Sequence, residues 1–142
     1  MTDVTIKRFD EMDTGLGGVL IRVRAELGVS SFGIQVIDLP PHFDQPYAEH
    51  AHEGFTYEPA NDGQEEVYLP LEGRATLLAG EERFELVPGM AARVGPAQLR
   101  RMVTGDEPCR MLALGGMPGR AYTPPAFTEI GAPDPDPAAT AG

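Results

Sequence analysis

The chain holds three histidines, His42, His50 and His52, and two of them stand at i and i+2 in Glu49-His50-Ala51-His52. On a β-strand that spacing puts both rings on one face, where they can converge on one ion. A carboxylate follows at Glu66, inside the run Glu66-Val67-Tyr68-Leu69-Pro70-Leu71. Two neutral imidazoles and one carboxylate leave positions open around a divalent cation, a donor set that suits iron, manganese, nickel or zinc. A His-x-His pair also arises on ordinary surface strands, so its meaning depends on what surrounds it. His42 follows Pro40-Pro41 and reads as a turn residue rather than a ligand. Cys109 is the only cysteine, which excludes an internal disulfide and a cysteine-rich zinc cluster. Arg110 is the one basic residue beside it, too little to activate a thiol. No glycine-rich phosphate loop and no nucleophile elbow occur.

The elements that must position these groups are short. Seventeen glycines and 14 prolines punctuate the chain too often for long amphipathic helices. Strands are expected at Val19–Val23, Phe32–Leu39, Glu66–Leu71, Ala75–Leu78, Arg83–Val87, Ala91–Val94, Leu99–Val103 and Arg110–Leu114. Glu72-Gly73, Ala79-Gly80 and Pro88-Gly89 supply turns between them. Many short strands at close spacing imply an antiparallel sandwich or barrel. One helical turn is expected near Arg24–Leu27, ended by Gly28. Residues 53–63 read as a polar loop carrying Phe55 and Tyr57, a lid or a contact surface. The tail from Gly131 alternates proline, aspartate and alanine, buries no apolar area and is expected to be disordered.

Composition narrows the partners. Lysine and arginine total 11 against 22 acidic residues, a formal charge of -11. Nucleic acid and anionic membrane both bind through a basic footprint, and that footprint is missing. No stretch is long and apolar enough to span a bilayer, and Met1–Glu11 is polar rather than signal-like. A cytoplasmic location is therefore expected. The length suits one domain.

His50-Ala51-His52 with Glu66 and Gly73 resembles the first motif of the cupin superfamily. Gly89, Pro96, Ala97, Arg100 and Thr104 fall where the second cupin motif has its glycine, its turn, its histidine and its asparagine. The resemblance covers about residues 32–115 and is most specific over Asp62–Tyr68 with Leu71-Glu72-Gly73. The stretch Gly115–Gly119 with Ala121-Tyr122 resembles the end of small bacterial single-domain cupins of the cupin-2 type. It implies an all-β double-stranded β-helix, or jelly-roll barrel, over residues 31–122. An N-terminal strand and helical turn (1–30) would pack on it, with a C-terminal extension (123–142). It further implies a homodimer, a small-molecule ligand and a divalent metal on His50, His52 and Glu66. The largely apolar faces of Glu66–Glu72 agree with a dimer, because the outer face needs a cover from residues 1–30 or from a partner chain.

Two departures bear on function. Thirteen residues separate His52 from Glu66, so 53–63 reads as an insertion; Glu66 keeps the motif's distance to Gly73, whereas Glu65 points to the opposite face. Arg100 occupies the histidine slot, and a guanidinium stays charged and cannot ligate a cation. One account has Arg100 paired with Glu66, two-pronged, in a metal-free binding or regulatory barrel. The other keeps metal on three ligands, as in a dioxygenase or isomerase. There Arg100 grips an anionic substrate, and Tyr68 or Glu65 relays a proton. Gln98, on the face of Arg100, could add a neutral oxygen ligand. Met102 reads as barrel lining.

Overall fold

Alternating β-branched and polar residues between glycine and proline breaks build nine strands among the described residues. The computed structural model describes residues 2–52, 63–125 and 128. The strands are β1 (Thr14–Gly15), β2 (Leu20–Ile21), β3 (Gly33–Leu39), β4 (Glu65–Gly73), β5 (Ala75–Ala79), β6 (Glu82–Leu86), β7 (Ala92–Val94), β8 (Arg100–Val103) and β9 (Cys109–Gly116). A five-residue helix, α1 (Val23–Leu27), lies between β2 and β3 and ends on Gly28, whose φ of 77° is the left-handed cap that glycine favours. All pairings are antiparallel. The larger sheet runs β1-β2-β3-β9-β4-β7 and the smaller β6-β5-β8.

The expected all-β barrel is thus present, with small differences at its edges. The first expected strand shrinks to Leu20–Ile21 because Val23 already opens α1. Strand β4 begins one residue earlier than expected, and β1 was not foreseen: two residues carry no readable period. The 53–62 part of the insertion, with Phe55 and Tyr57, and the tail from Gly131 lie outside the described residues.

The main core fills the space between the sheets. Leu39, Tyr68, Val94, Cys109, Met111 and Ala113 of the larger sheet meet Ala75, Leu77 and Leu86 of the smaller. Each is more than nine-tenths buried, so apolar area removed from water holds the two layers together. A second cluster lies on the outer face of the larger sheet. Met12, Ile21 and Val23 cover Val36 there, with Phe9, Leu27, Ile34 and Leu112 around them. The N-terminal segment therefore supplies the cover for that part of the face. Beyond it, Val67 and Leu69 are half-buried and Leu71 is exposed.

Two joints set the geometry of the site. At Gly73 the chain leaves the larger sheet for β5 with φ of 77°, and a Cβ there would lie 1.9 Å from the Pro108 carbonyl oxygen. No side chain fits that approach. At the other joint, Thr104 accepts the Phe43 N–H at 2.8 Å and donates to the Pro40 carbonyl at 2.5 Å. This ties the segment before His50 to the end of β8, and Asp44 bridges Val103 beside it.

Gly28→Ala, where a Cβ meets nothing within 4 Å, is expected to cost about 1–2 kcal/mol of left-handed strain. Gly73→Ala adds a backbone clash to the same strain and is expected to cost roughly 3 kcal/mol or more. Urea midpoints of the two variants check the order; equal losses would contradict it.

Candidate functional site

Glu66 and Tyr68 lie two residues apart on β4 and so share its inner face, while Glu65 turns outward to accept from Arg93 Nε at 2.6 Å. Across the barrel, Arg100 opens β8 with only 1% of its surface exposed. Backbone hydrogen bonds of 3.0 Å in both directions bridge Arg100 to His50, and the His52 N–H donates to the Pro96 carbonyl at 2.7 Å. The histidine pair is therefore laid along β8 by an isolated bridge rather than carried on a strand of its own.

Four polar groups converge on a single oxygen, Glu66 Oε1. His50 Nε2 is 3.1 Å away and His52 Nε2 2.9 Å. The Tyr68 hydroxyl donates at 2.8 Å, and Arg100 Nη2 donates as well. The rings of His50 and His52 stand edge to face, with centroids 5.2 Å apart. The Arg100–Glu66 pair is one-pronged rather than two-pronged. Nη1 is held by the carbonyls of Gln98 (2.8 Å) and Gly95 (3.3 Å), and Nε points to the Tyr68 hydroxyl at 3.4 Å. Such anchoring fixes the guanidinium without any ligand.

Burial works against the Glu66 charge, yet hydrogen bonds from His50 and His52 and the Arg100 charge outweigh it. The carboxyl is held well below its ordinary range. Burial, and the negative charge of Glu66, push the Tyr68 phenol far above its ordinary value. Tyr68 therefore keeps its proton and acts as a donor. Although burial opposes its charge, contacts with Tyr68 and Glu66 raise Arg100 above its ordinary value.

Ligand atoms of His50, His52 and Glu66 lie within 4.8 Å of one another. Ligands held at about 2.1 Å and at right angles stand about 3 Å apart, close to the two measured separations. His50 Nδ1 lies 3.0 Å from the Ala48 carbonyl, an acceptor that calls for N–H there and turns Nε2 toward the cluster. A carbonyl that fixes the ring in this way is the usual outer support of a metal-binding histidine. His52 lacks that support among the described residues, because its Nδ1 is buried with no partner.

Other candidates fall away from this centre. The Gln98 side chain is exposed and its amide nitrogen donates to the Leu99 carbonyl, so Gln98 serves the site only through its backbone carbonyl. His42 is largely exposed, 3.1 Å from Asp106. Cys109 is buried, and burial pushes its thiol up to about 11, an inert state. Met102 packs against the main core as lining. The residue that sequence reading passed over is Gln64, only 7% exposed, with its amide nitrogen 3.5 Å from His52 Nε2. Its signal was the period of two that also relates Glu66 and Tyr68.

Fold and site together define a double-sheet β-barrel with a histidine–carboxylate–guanidinium cluster inside. Neither protein-family models nor curated proteins give a match to the chain. Solved structures do. A cupin protein from Bacteroides fragilis is similar with a TM-score of 0.65 and 18% identity, over 89% of this chain and 95% of that one. A cupin-superfamily sugar phosphate isomerase from Silicibacter pomeroyi is similar at 0.60 and 20% identity, over 79% and 75%. A cupin-2 conserved barrel protein from Salinispora arenicola is similar at 0.60 and 19%, over 80% and 89%. The fold of this chain is that of a small cupin.

In chelator-treated protein, Arg100→Ala leaves Glu66 buried and uncompensated, and a loss of roughly 3–5 kcal/mol in unfolding free energy is expected. Glu66 also gives an acid signature. Its folded-state value is depressed, so its stabilisation is complete above the ordinary 4.5 and is lost as pH falls from there through the folded value. The stability gap between parent and Glu66→Gln is therefore expected to stay constant from neutral pH down to about 5 and to shrink in more acid solution. A gap unchanged at low pH would contradict the buried charge.

Proposed function

We propose that the chain is a small-molecule cupin that seats a divalent metal on His50, His52 and Glu66 and binds a small anionic, oxygenated metabolite beside it. The observation that carries this reading is the convergence of His50, His52 and Glu66, whose ligand atoms lie within 4.8 Å of one another, with His50 Nδ1 set against the Ala48 carbonyl. When bound, the cation supplies Lewis acidity toward the oxygens of the ligand. The chain's own groups do the rest. Arg100 is a fixed positive charge one carboxylate oxygen away. A dication and a guanidinium against one carboxylate leave the site net positive, which favours an anionic ligand. Tyr68 keeps its proton and presents it at Glu66 Oε1, a candidate proton donor for an isomerase or a dioxygenase. That one neighbour of the same fold is a sugar phosphate isomerase agrees with this ligand class.

A metal-free binding cupin is the second reading, and His52 favours it. With Nδ1 lacking a partner among the described residues, the neutral ring is best served by N–H at Nε2, donating to Glu66. Arg100 then balances the carboxylate that a cation would otherwise hold. For either reading we place the protein in the cytoplasm as a homodimer, joined over the outer face near Val67, Leu69 and Leu71. Among the described residues no helix is long and apolar enough to cross a membrane.

Elemental analysis of protein purified without a histidine tag separates the readings. Bound divalent metal is expected in the parent and none in His50→Ala or His52→Ala. Arg100→Ala is expected to keep the metal and to lose about tenfold or more in affinity for small carboxylates or phosphates. A parent that holds no metal after reconstitution yet binds such anions establishes the second reading instead. Light scattering tests the dimer, and a monomer at high concentration would remove it.

A further inference from the structure

We infer that Gln64 is a fourth protein donor of this site, its carboxamide oxygen turned to the cation beside His52, an inference that rests on the metal reading above. Three ligands leave a divalent ion with unfilled positions, and Arg100 has no lone pair to give. Tyr68 spends its hydroxyl on Glu66 and Arg100; Gln64 is a further buried group with lone pairs beside the cluster, more than nine-tenths removed from solvent. Its amide nitrogen lies 3.5 Å from His52 Nε2, the ring atom that also faces Glu66.

The path of the side chain is built into the sheet. Gly115 of β9 pairs directly with Glu66, and a Cβ at that glycine would lie 2.6 Å from Gln64 Nε2 and 2.8 Å from its Cδ. Glycine at this register position lets the carboxamide lie flat across the ladder, toward the histidines. The amide oxygen and nitrogen have nearly the same shape, so their partners decide which one faces the cluster. Once the His52 Nε2 lone pair is given to a cation, an amide N–H there has no acceptor. The oxygen then takes that side and the nitrogen turns away.

Two imidazoles with a carboxylate and an amide oxygen form a mixed set, harder than two imidazoles with one carboxylate. Oxygen donors suit manganese, whereas zinc is satisfied with fewer ligands. Gln64 therefore tilts the site toward manganese. The test uses the full chain stripped with chelator and titrated calorimetrically with Mn²⁺ and with Zn²⁺, and Co²⁺ absorption as a coordination probe. Gln64→Leu and the shorter Gln64→Asn are expected to weaken Mn²⁺ about tenfold or more while changing Zn²⁺ by less than about threefold. Both are expected to intensify the Co²⁺ visible bands as a ligand is lost. Gln64→Glu, nearly isosteric, is expected to bind Mn²⁺ more tightly than the parent. Circular dichroism checks that each variant is folded, and if the leucine and asparagine variants are not, the glutamate variant decides. The inference is overturned if the parent binds and His50→Ala does not, yet the Gln64 variants keep parent affinities and the parent Co²⁺ spectrum. A parent that binds none of the three cations removes the metal reading itself, and this inference with it.

Discussion

A carboxylate taken out of water is the constraint around which the interior of this protein is arranged. An isolated buried charge is so unfavourable that it must be neutralised or surrounded by donors. Glu66 achieves this through one oxygen, on which Arg100, Tyr68, His50 and His52 all converge. These donors come from three stretches of backbone: β4 itself, β8 and the segment that carries both histidines. The sheet register, the bridge between His50 and Arg100 and the inward turn of Tyr68 are therefore conditions for Glu66 to remain charged.

Arg100 changes what a histidine–carboxylate cluster can be. With a histidine at the start of β8, only a cation or a proton could balance Glu66. With a guanidinium there, the barrel carries a permanent balancing charge, locked by the carbonyls of Gln98 and Gly95 and by Tyr68. The cluster is thus held in place by the chain's own groups. The two histidines divide on this point: His50 is oriented from outside as metal ligands are, and His52 is not.

The rest of the fold serves the cluster at one remove. The core between the sheets fixes the separation of β4 and β8, and hence the reach of Arg100. The N-terminal segment, α1 and Phe9 cover the outer face of β3 and β9, so that the larger sheet is shielded on both sides there. Gly73 and Thr104 anchor the two crossings that bring His50 and Glu66 to the same place. Gly115 clears the surface on which Gln64 lies.

The amino-acid order alone determined the class of fold, because glycine and proline spacing and the period-two alternation are local properties of the chain. It also determined which face of β4 carries chemistry: Glu66 and Tyr68 inward, Glu65 outward, since successive residues of a strand cannot share a face. The substitution of Arg100 for a lone-pair donor was equally legible, being a matter of residue type. Only the tertiary structure decided how these parts meet. Tyr68 and Arg100 lie 32 positions apart, and no local pattern states that the guanidinium takes one carboxylate oxygen and spends its other prongs on carbonyls and the Tyr68 hydroxyl. The histidine pair needed no strand of its own, because a long-range bridge to Arg100 orients it. Gln98 and Gln64 looked alike in sequence, each a polar residue in phase with a key one; the turn before β8 leaves Gln98 in solvent, and Gly115 lets Gln64 in. Such outcomes depend on which backbone lies opposite, and that is known only once the sheets have closed.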